Sequence, residues 1–209
     1  MASQVEIVNN ALVEIGEATI TSIDQNTRAA RTAKRVWDNV RREMLTRYRW
    51  NFAKKRATLA ADVTAPAFGY THAFTVPTDF LQLIGVYDSA EDQRQLTATR
   101  QAYASEGRKI LYDGTALSIF YVADITDTAQ FDPLFESALV YKLALRLAYD
   151  LSTGTGRSEA IQGFFTEAIK TAKFSNAIQN TPEVIQASEW VDSRFYGTTG
   201  PFRAGPILI

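Results

Sequence analysis

The sequence predicts an α+β protein: a four-helix bundle with an inserted small antiparallel β domain and an extended C-terminal arm. Three observations carry that expectation. Helical periodicity runs from Ser3 to about Arg49, disappears between Ala57 and Asp127, and returns at Asp132. The interrupting stretch holds short β-rich runs separated by Pro, Gly and Asp turn signals. Beyond Thr181-Pro182, glycines and prolines alternate with large apolar residues, which suits neither a helix nor a freely disordered tail. The boundaries read as 1–56 with 128–181 for the helical bundle, 57–127 for the β domain and 182–209 for the arm.

Ser3 and Glu6 form a capping box in which each side chain satisfies a backbone N–H at the helix start. Val5, Val8, Leu12 and Ile15 then recur at helical spacing, and Gly16 supplies the stop. After a polar connector, a second helix is expected from Arg28 to about Arg49. Its apolar stripe is Ala29, Ala33, Val36, Trp37, Val40, Met44 and Tyr48. Within the insert, strands are expected at 73–76, 80–87, 109–112 and 116–122. The last two flank Asp113-Gly114, whose residues tolerate positive φ and therefore predict a hairpin tip. Asp132-Pro133 is an N-cap followed by proline at the first helical position, and residues 134–151 form the expected core helix. A short loop leads to the last helix, 157–179, with Ile161, Phe164, Phe165, Ala168, Ile169 and Ala172 on its inner face.

Charge is distributed unevenly. Residues 28–56 hold eleven of the 22 Lys and Arg and only two acids, so they carry +9 and the remainder −10. A chain of net charge −1 is therefore strongly dipolar along its length and suited to a charged partner. One reading is a solvated helix face. A second is nucleic acid, with cations on phosphates and Tyr48, Trp50 and Phe52 stacking on bases. The third pairs Arg28, Arg31, Arg35, Arg41 and Arg42 with acidic surface on another copy or a partner. Arg47, Arg49, Trp50, Lys54 and Lys55 are candidates for DNA contact or for packing where helix meets insert. In the arm, Trp190, Phe195, Tyr196, Phe202, Ile207, Leu208 and Ile209 are candidate anchors for a partner surface.

Composition excludes much chemistry. The chain has no cysteine, and His72 is its single histidine, so neither a His-based triad nor a usual zinc site can be built within it. Glu91-Asp92 reads as a polar turn. The glycine-rich stretch 153–158 lacks the G-K-[ST] ending of a phosphate loop and follows a helix instead of a strand. No catalytic residue, metal ligand or cofactor is expected. The N-terminus lacks signal-peptide character and no apolar run reaches the ~20 residues of a membrane span, so the expectation is a soluble intracellular protein without membrane contact. Its 209 residues suffice for a core without disulfides.

The string Arg47-Tyr48-Arg49-Trp50-Asn51-Phe52-Ala53-Lys54-Lys55-Arg56-Ala57-Thr58-Leu59, closing a long helix, resembles the tail tubular protein A family of tailed bacteriophages and prophages. The stretch starting Phe74-Thr75-Val76-Pro77-Thr78-Asp79-Phe80-Leu81 is similar to that family's strand entry. The passage from Tyr121 to Asp132-Pro133-Leu134-Phe135 is similar to its transition into the core helix. The likeness spans most of residues 3–180. It implies a non-enzymatic virion protein of the tail or neck, assembled in the host cytoplasm. The family's role is that of a head–tail adaptor or connector, a dodecameric ring that binds the portal on one side and the distal tail (nozzle or tail tube) on the other. DNA would pass its lumen during packaging and genome ejection without sequence-specific binding. The competing class is a nucleic-acid-binding module built on Arg47–Arg56.

Overall fold

In the computed structural model the described residues are 2–87, 103–151 and 155–179. Among them two helices come first, then the strands of two small antiparallel sheets, then two more helices. Helix α1 (Gln4–Ile15) starts with the expected capping box: the Ser3 N–H donates to Glu6 Oε2 (2.9 Å) and the Glu6 N–H to Ser3 Oγ (3.2 Å). Gly16 ends it in the left-handed region (φ +81°), and the Glu17 N–H reaches back to the Leu12 carbonyl (2.9 Å). The Asn9 side chain then pins the connector by bonding both the N–H and the carbonyl of Ile20 (2.8 and 2.9 Å).

Helix α2 (Arg28–Thr46) is capped by Thr27 and ends one turn earlier than the expected Arg49. The reason is Trp50. Its indole N–H donates to the Met44 carbonyl (2.8 Å), and burying the ring requires the chain to fold back before the helix can continue. A 3-10 turn (Asn51–Ala53) leads into β1 (Lys54–Ala60), so the first strand begins three residues before the expected boundary at 57.

Five further strands follow: β2 (His72–Thr75), β3 (Phe80–Tyr87), β4 (Ala104–Glu106), β5 (Lys109–Tyr112) and β6 (Ala116–Ala123). One sheet has the order β1-β6-β3 and the other β2-β5-β4, with every pairing antiparallel. The Asp113-Gly114 hairpin is therefore not formed. β5 and β6 belong to different sheets, and Gly114 is not among the glycines of positive φ. Asp113 instead accepts from the N–H and hydroxyl of Thr71 (2.8 and 3.1 Å), so its side chain holds a loop. The tight hairpin lies between β4 and β5, where Glu106 pairs with Lys109 and Gly107 takes φ +59°.

Asp132 caps α3 (Pro133–Leu151) by accepting from the Leu134 N–H (2.9 Å). α3 packs against α1, α2 and α4 (Thr155–Ile178). Ile161, Phe165, Ile169 and Ala172 of α4 are buried, whereas Phe164 is exposed and lies against Tyr141 with ring centroids 5.8 Å apart. Phe164 thus leaves the expected inner face. One hydrophobic cluster runs continuously from Ile7 and Trp37 through Phe74 and Ile119 to Leu143, linking helices and strands within a compact unit of residues 1–179.

Candidate functional site

The basic stretch 28–56 forms α2, the turn after it and β1, and most of its charge is answered within the chain. Arg41 is 1% exposed. Its guanidinium bonds the Asp124 carboxylate, the Ile125 carbonyl (2.7 Å) and Asp38 (3.2 Å). Asp124 also accepts from Arg42 Nε (2.9 Å). These bonds fasten α2 to the chain leaving β6, and they take Arg41 out of any surface a partner could reach.

A second polar knot adjoins the first. The Asp124 N–H donates to the Asp79 carbonyl (2.7 Å), while the Asp79 carboxylate accepts from Lys55 Nζ (2.9 Å) and the Tyr121 hydroxyl (3.1 Å). Burial by itself would raise the Asp79 carboxyl, but the hydrogen bonds from Lys55 and Tyr121 outweigh it and hold the group below its usual range. Burial, with Asp79 adding to it, pushes the Tyr121 hydroxyl up to about 12.

At the other end of α2, Arg28 donates to the Asp150 carbonyl (2.7 Å) and Arg35 to the Asp150 carboxylate (2.8 Å), tying α2 to the last turn of α3. Arg31 is exposed and among the described residues its side chain bonds Asn26 alone (3.0 Å), and Lys34 pairs with Asp24 (2.6 Å). Arg47 lies over the Phe165 ring, 5.2 Å from its centroid, and near Glu43 (3.7 Å). Arg49 is exposed. Lys54 donates to Asn51 (2.7 Å), and burial, reinforced by the charge of Arg49, lowers its ammonium below the usual range. Arg56 covers the Phe120 ring at 4.9 Å.

The aromatics of this stretch pack against the core, Trp50 fully and Tyr48 and Phe52 in part. Trp50 is 1% exposed and meets Tyr48 edge-on (5.3 Å) and Phe135 edge-on (5.0 Å), while Phe52 meets Phe131 and Phe135. Asn51 and Asn176 fasten this junction to α4 through the Asn51 N–H (2.8 Å) and its side-chain amide (2.9 Å). The arm candidates Trp190, Phe195, Tyr196, Phe202, Ile207, Leu208 and Ile209 lie outside the described residues, as do Glu91-Asp92 and part of 153–158.

Sequence reasoning missed two features. Asp124 carries the basic helix, yet it follows β6 and gives no local signal. Val63 and Phe68 stand exposed on the loop between β1 and β2, where short-range patterning showed only turn residues. Among the described residues no helix is long and apolar enough to cross a membrane, and no group of three or more His, Cys, Asp or Glu could hold a metal ion. A family model described as Tail tubular protein matches residues 5–179, which is nearly all of the compact unit. No curated protein matches the chain.

Proposed function

The chain belongs to the tail tubular protein family, a structural family of bacteriophage tails, and from that premise we propose that it is a head-to-tail adaptor. Copies assemble into a dodecameric ring that joins the portal to the distal tail and lets DNA pass through the lumen without reading its sequence. The single observation that carries this reading is the family match across residues 5–179. In this reading the four helices form a bundle centred on α3, the segment 57–127 is an inserted β domain facing the tail, and 182–209 is a docking arm. Arg28, Arg31, Arg35 and Arg42 remain candidate contacts to a neighbour or the portal. Arg41 does not, because its guanidinium is spent inside its own subunit.

The nucleic-acid reading is weakened because Trp50 is buried, Tyr48 and Phe52 are half-buried against the core, and six of the eleven cations of 28–56 already sit in ion pairs. The discriminating experiment measures mass in solution with and without portal rings, beside a DNA titration. An adaptor assembles on the portal and binds DNA weakly. Tight DNA binding by a monomer that ignores the portal would overturn the assignment. Truncation after Gln179 adds a test of the arm: the shortened chain keeps its fold and attaches less well.

A further inference from the structure

The geometry points to the contact by which successive copies join: a Tyr-Arg knob on one side of α3 enters an acidic, partly apolar groove on the other side of α3 in the next copy. This inference rests on the ring reading above. Glu136, Ser137, Val140 and Tyr141 follow helical spacing and, with Val13 and Glu14 of α1, line a groove of about 250 Å³. Its lining is mixed, with Asn10, Glu14, Glu136 and Ser137 beside Val13, Val140 and Tyr141. Val13 is 57% exposed, and the exposed Phe164 ring continues the surface beyond Tyr141. Glu14 and Glu136 are half-buried, form no ion pair among the described residues, and meet no cation in the groove lining. A mixed groove that holds two unanswered carboxylates beside exposed apolar side chains calls for an occupant with an apolar body and a positive charge.

The chain carries such an element. Lys142, Leu145, Arg146 and Tyr149 occupy the opposite side of α3, where they border a cleft of about 490 Å³ shared with α2 and Gln162 of α4, and Lys142 there is answered by Glu43 (2.7 Å). Tyr149 is 86% exposed, and Arg146 is exposed without an ion pair among the described residues. Arg28, bonded to the carbonyl of Asp150 next door, and Arg31 widen the positive surface around them. Tyr and Arg are the side chains that most often anchor interfaces. Because knob and groove differ and lie on opposite sides of one helix, the contact is heterologous, and repeated copies close into a ring when the rotation permits. From Glu136 to Tyr149 the patches are offset by about 20 Å along α3, so α3 must incline to the ring axis for them to meet.

The test uses the full chain, alone and with portal rings, read by sedimentation, with circular dichroism and melting as folding controls. Reversing the groove (Glu14→Arg with Glu136→Arg) raises the concentration for half-assembly by about tenfold or more, as does reversing the knob (Arg28→Glu with Arg146→Glu). Combining all four in one chain restores assembly. Since the chain has no cysteine, Val13→Cys with Tyr149→Cys offers a second readout. Oxidation of the assembled double variant gives a ladder of covalent multimers, which neither single variant can form. Reversed chains that assemble like the wild type, or a double-cysteine assembly with no ladder, overturn this interface while leaving the ring intact. A wild-type chain that stays monomeric even with portal rings overturns the ring reading itself.

Discussion

Arg41 of α2 and Asp124, the residue that follows β6, are bonded side chain to side chain across 83 positions of sequence, with Arg41 almost wholly out of solvent. A guanidinium buried at that depth tolerates loss of its carboxylate poorly. Asp124→Ala should lower unfolding stability by about 3–5 kcal/mol, because it leaves a buried charge unanswered. Arg41→Met combined with Asp124→Leu should recover much of that loss. Urea unfolding of the three variants checks both statements, and a small effect of Asp124→Ala would mean that Asp38 and the Ile125 carbonyl suffice for Arg41.

Asp79 and Tyr121, bonded to each other, predict opposite pH limbs. The folded Asp79 carboxyl lies below its unfolded value, so its stabilisation is present above the ordinary carboxylate range and is lost as pH falls through the folded value. The Tyr121 hydroxyl is raised from 10.0 to about 12, so stability falls as pH rises between those values. Asp79→Asn should flatten the acid limb, and Tyr121→Phe should remove the alkaline one. Melting temperatures across pH, with each variant beside the wild type, measure this.

What could be read from sequence divides by range. The capping box at Ser3, the stop at Gly16, the Asp132 cap and the alternation of Leu117, Ile119 and Tyr121 are local, and each stands where periodicity or capping chemistry put it. The Asp113-Gly114 turn was misread because turn propensity cannot say which strands pair: β5 turns to β2 and β4, while β6 joins β1 and β3. The basic helix hides its internal partners for a similar reason. Its counter-charges, Asp124 and Asp150, lie 82 and 115 positions away, so a local excess of +9 looked unanswered.

Gly16 answers two demands at once. Its φ of +81° is one that L residues rarely adopt, and a Cβ there would come within 2.7 Å of the Arg157 Nη1. Gly16→Ala should therefore cost about 1–3 kcal/mol. Arg157→Ala in the same chain should relieve the steric part and leave the backbone part. A double-mutant cycle by thermal unfolding separates them, and strict additivity would show that Arg157 simply swings aside.

Trp50 and Arg49 are neighbours with opposite fates, and mutation should separate them. Trp50→Ala should cost about 3–5 kcal/mol through the cavity it leaves among Tyr48, Phe52 and Phe135. Arg49→Ala removes an exposed side chain and should stay within about 0.5 kcal/mol. If the stretch served nucleic acid, Arg49→Ala would lower DNA affinity and its salt dependence. An adaptor should show neither change in a titration at two ionic strengths.

The loop between β1 and β2 presents Val63 and Phe68 to solvent, the latter 87% exposed. Its base is built to hold that shape. Asp62 pairs with Lys109 Nζ (2.9 Å) and accepts from the Thr75 hydroxyl, its N–H donates to the Ala73 carbonyl (2.8 Å), and Asp113 fixes Thr71. Apolar side chains held in water contribute little to the monomer's stability, so their effect on attachment can be tested apart from folding. In the orientation proposed above for the β part, Phe68→Ser with Val63→Ser should leave stability within about 0.5 kcal/mol and weaken attachment of the next tail component. Asp62→Ala, which loosens the base, should weaken attachment while both apolar side chains remain. Pull-down of the distal tail protein by preassembled rings measures this. Full retention by the double serine variant would leave the loop without a partner on that side.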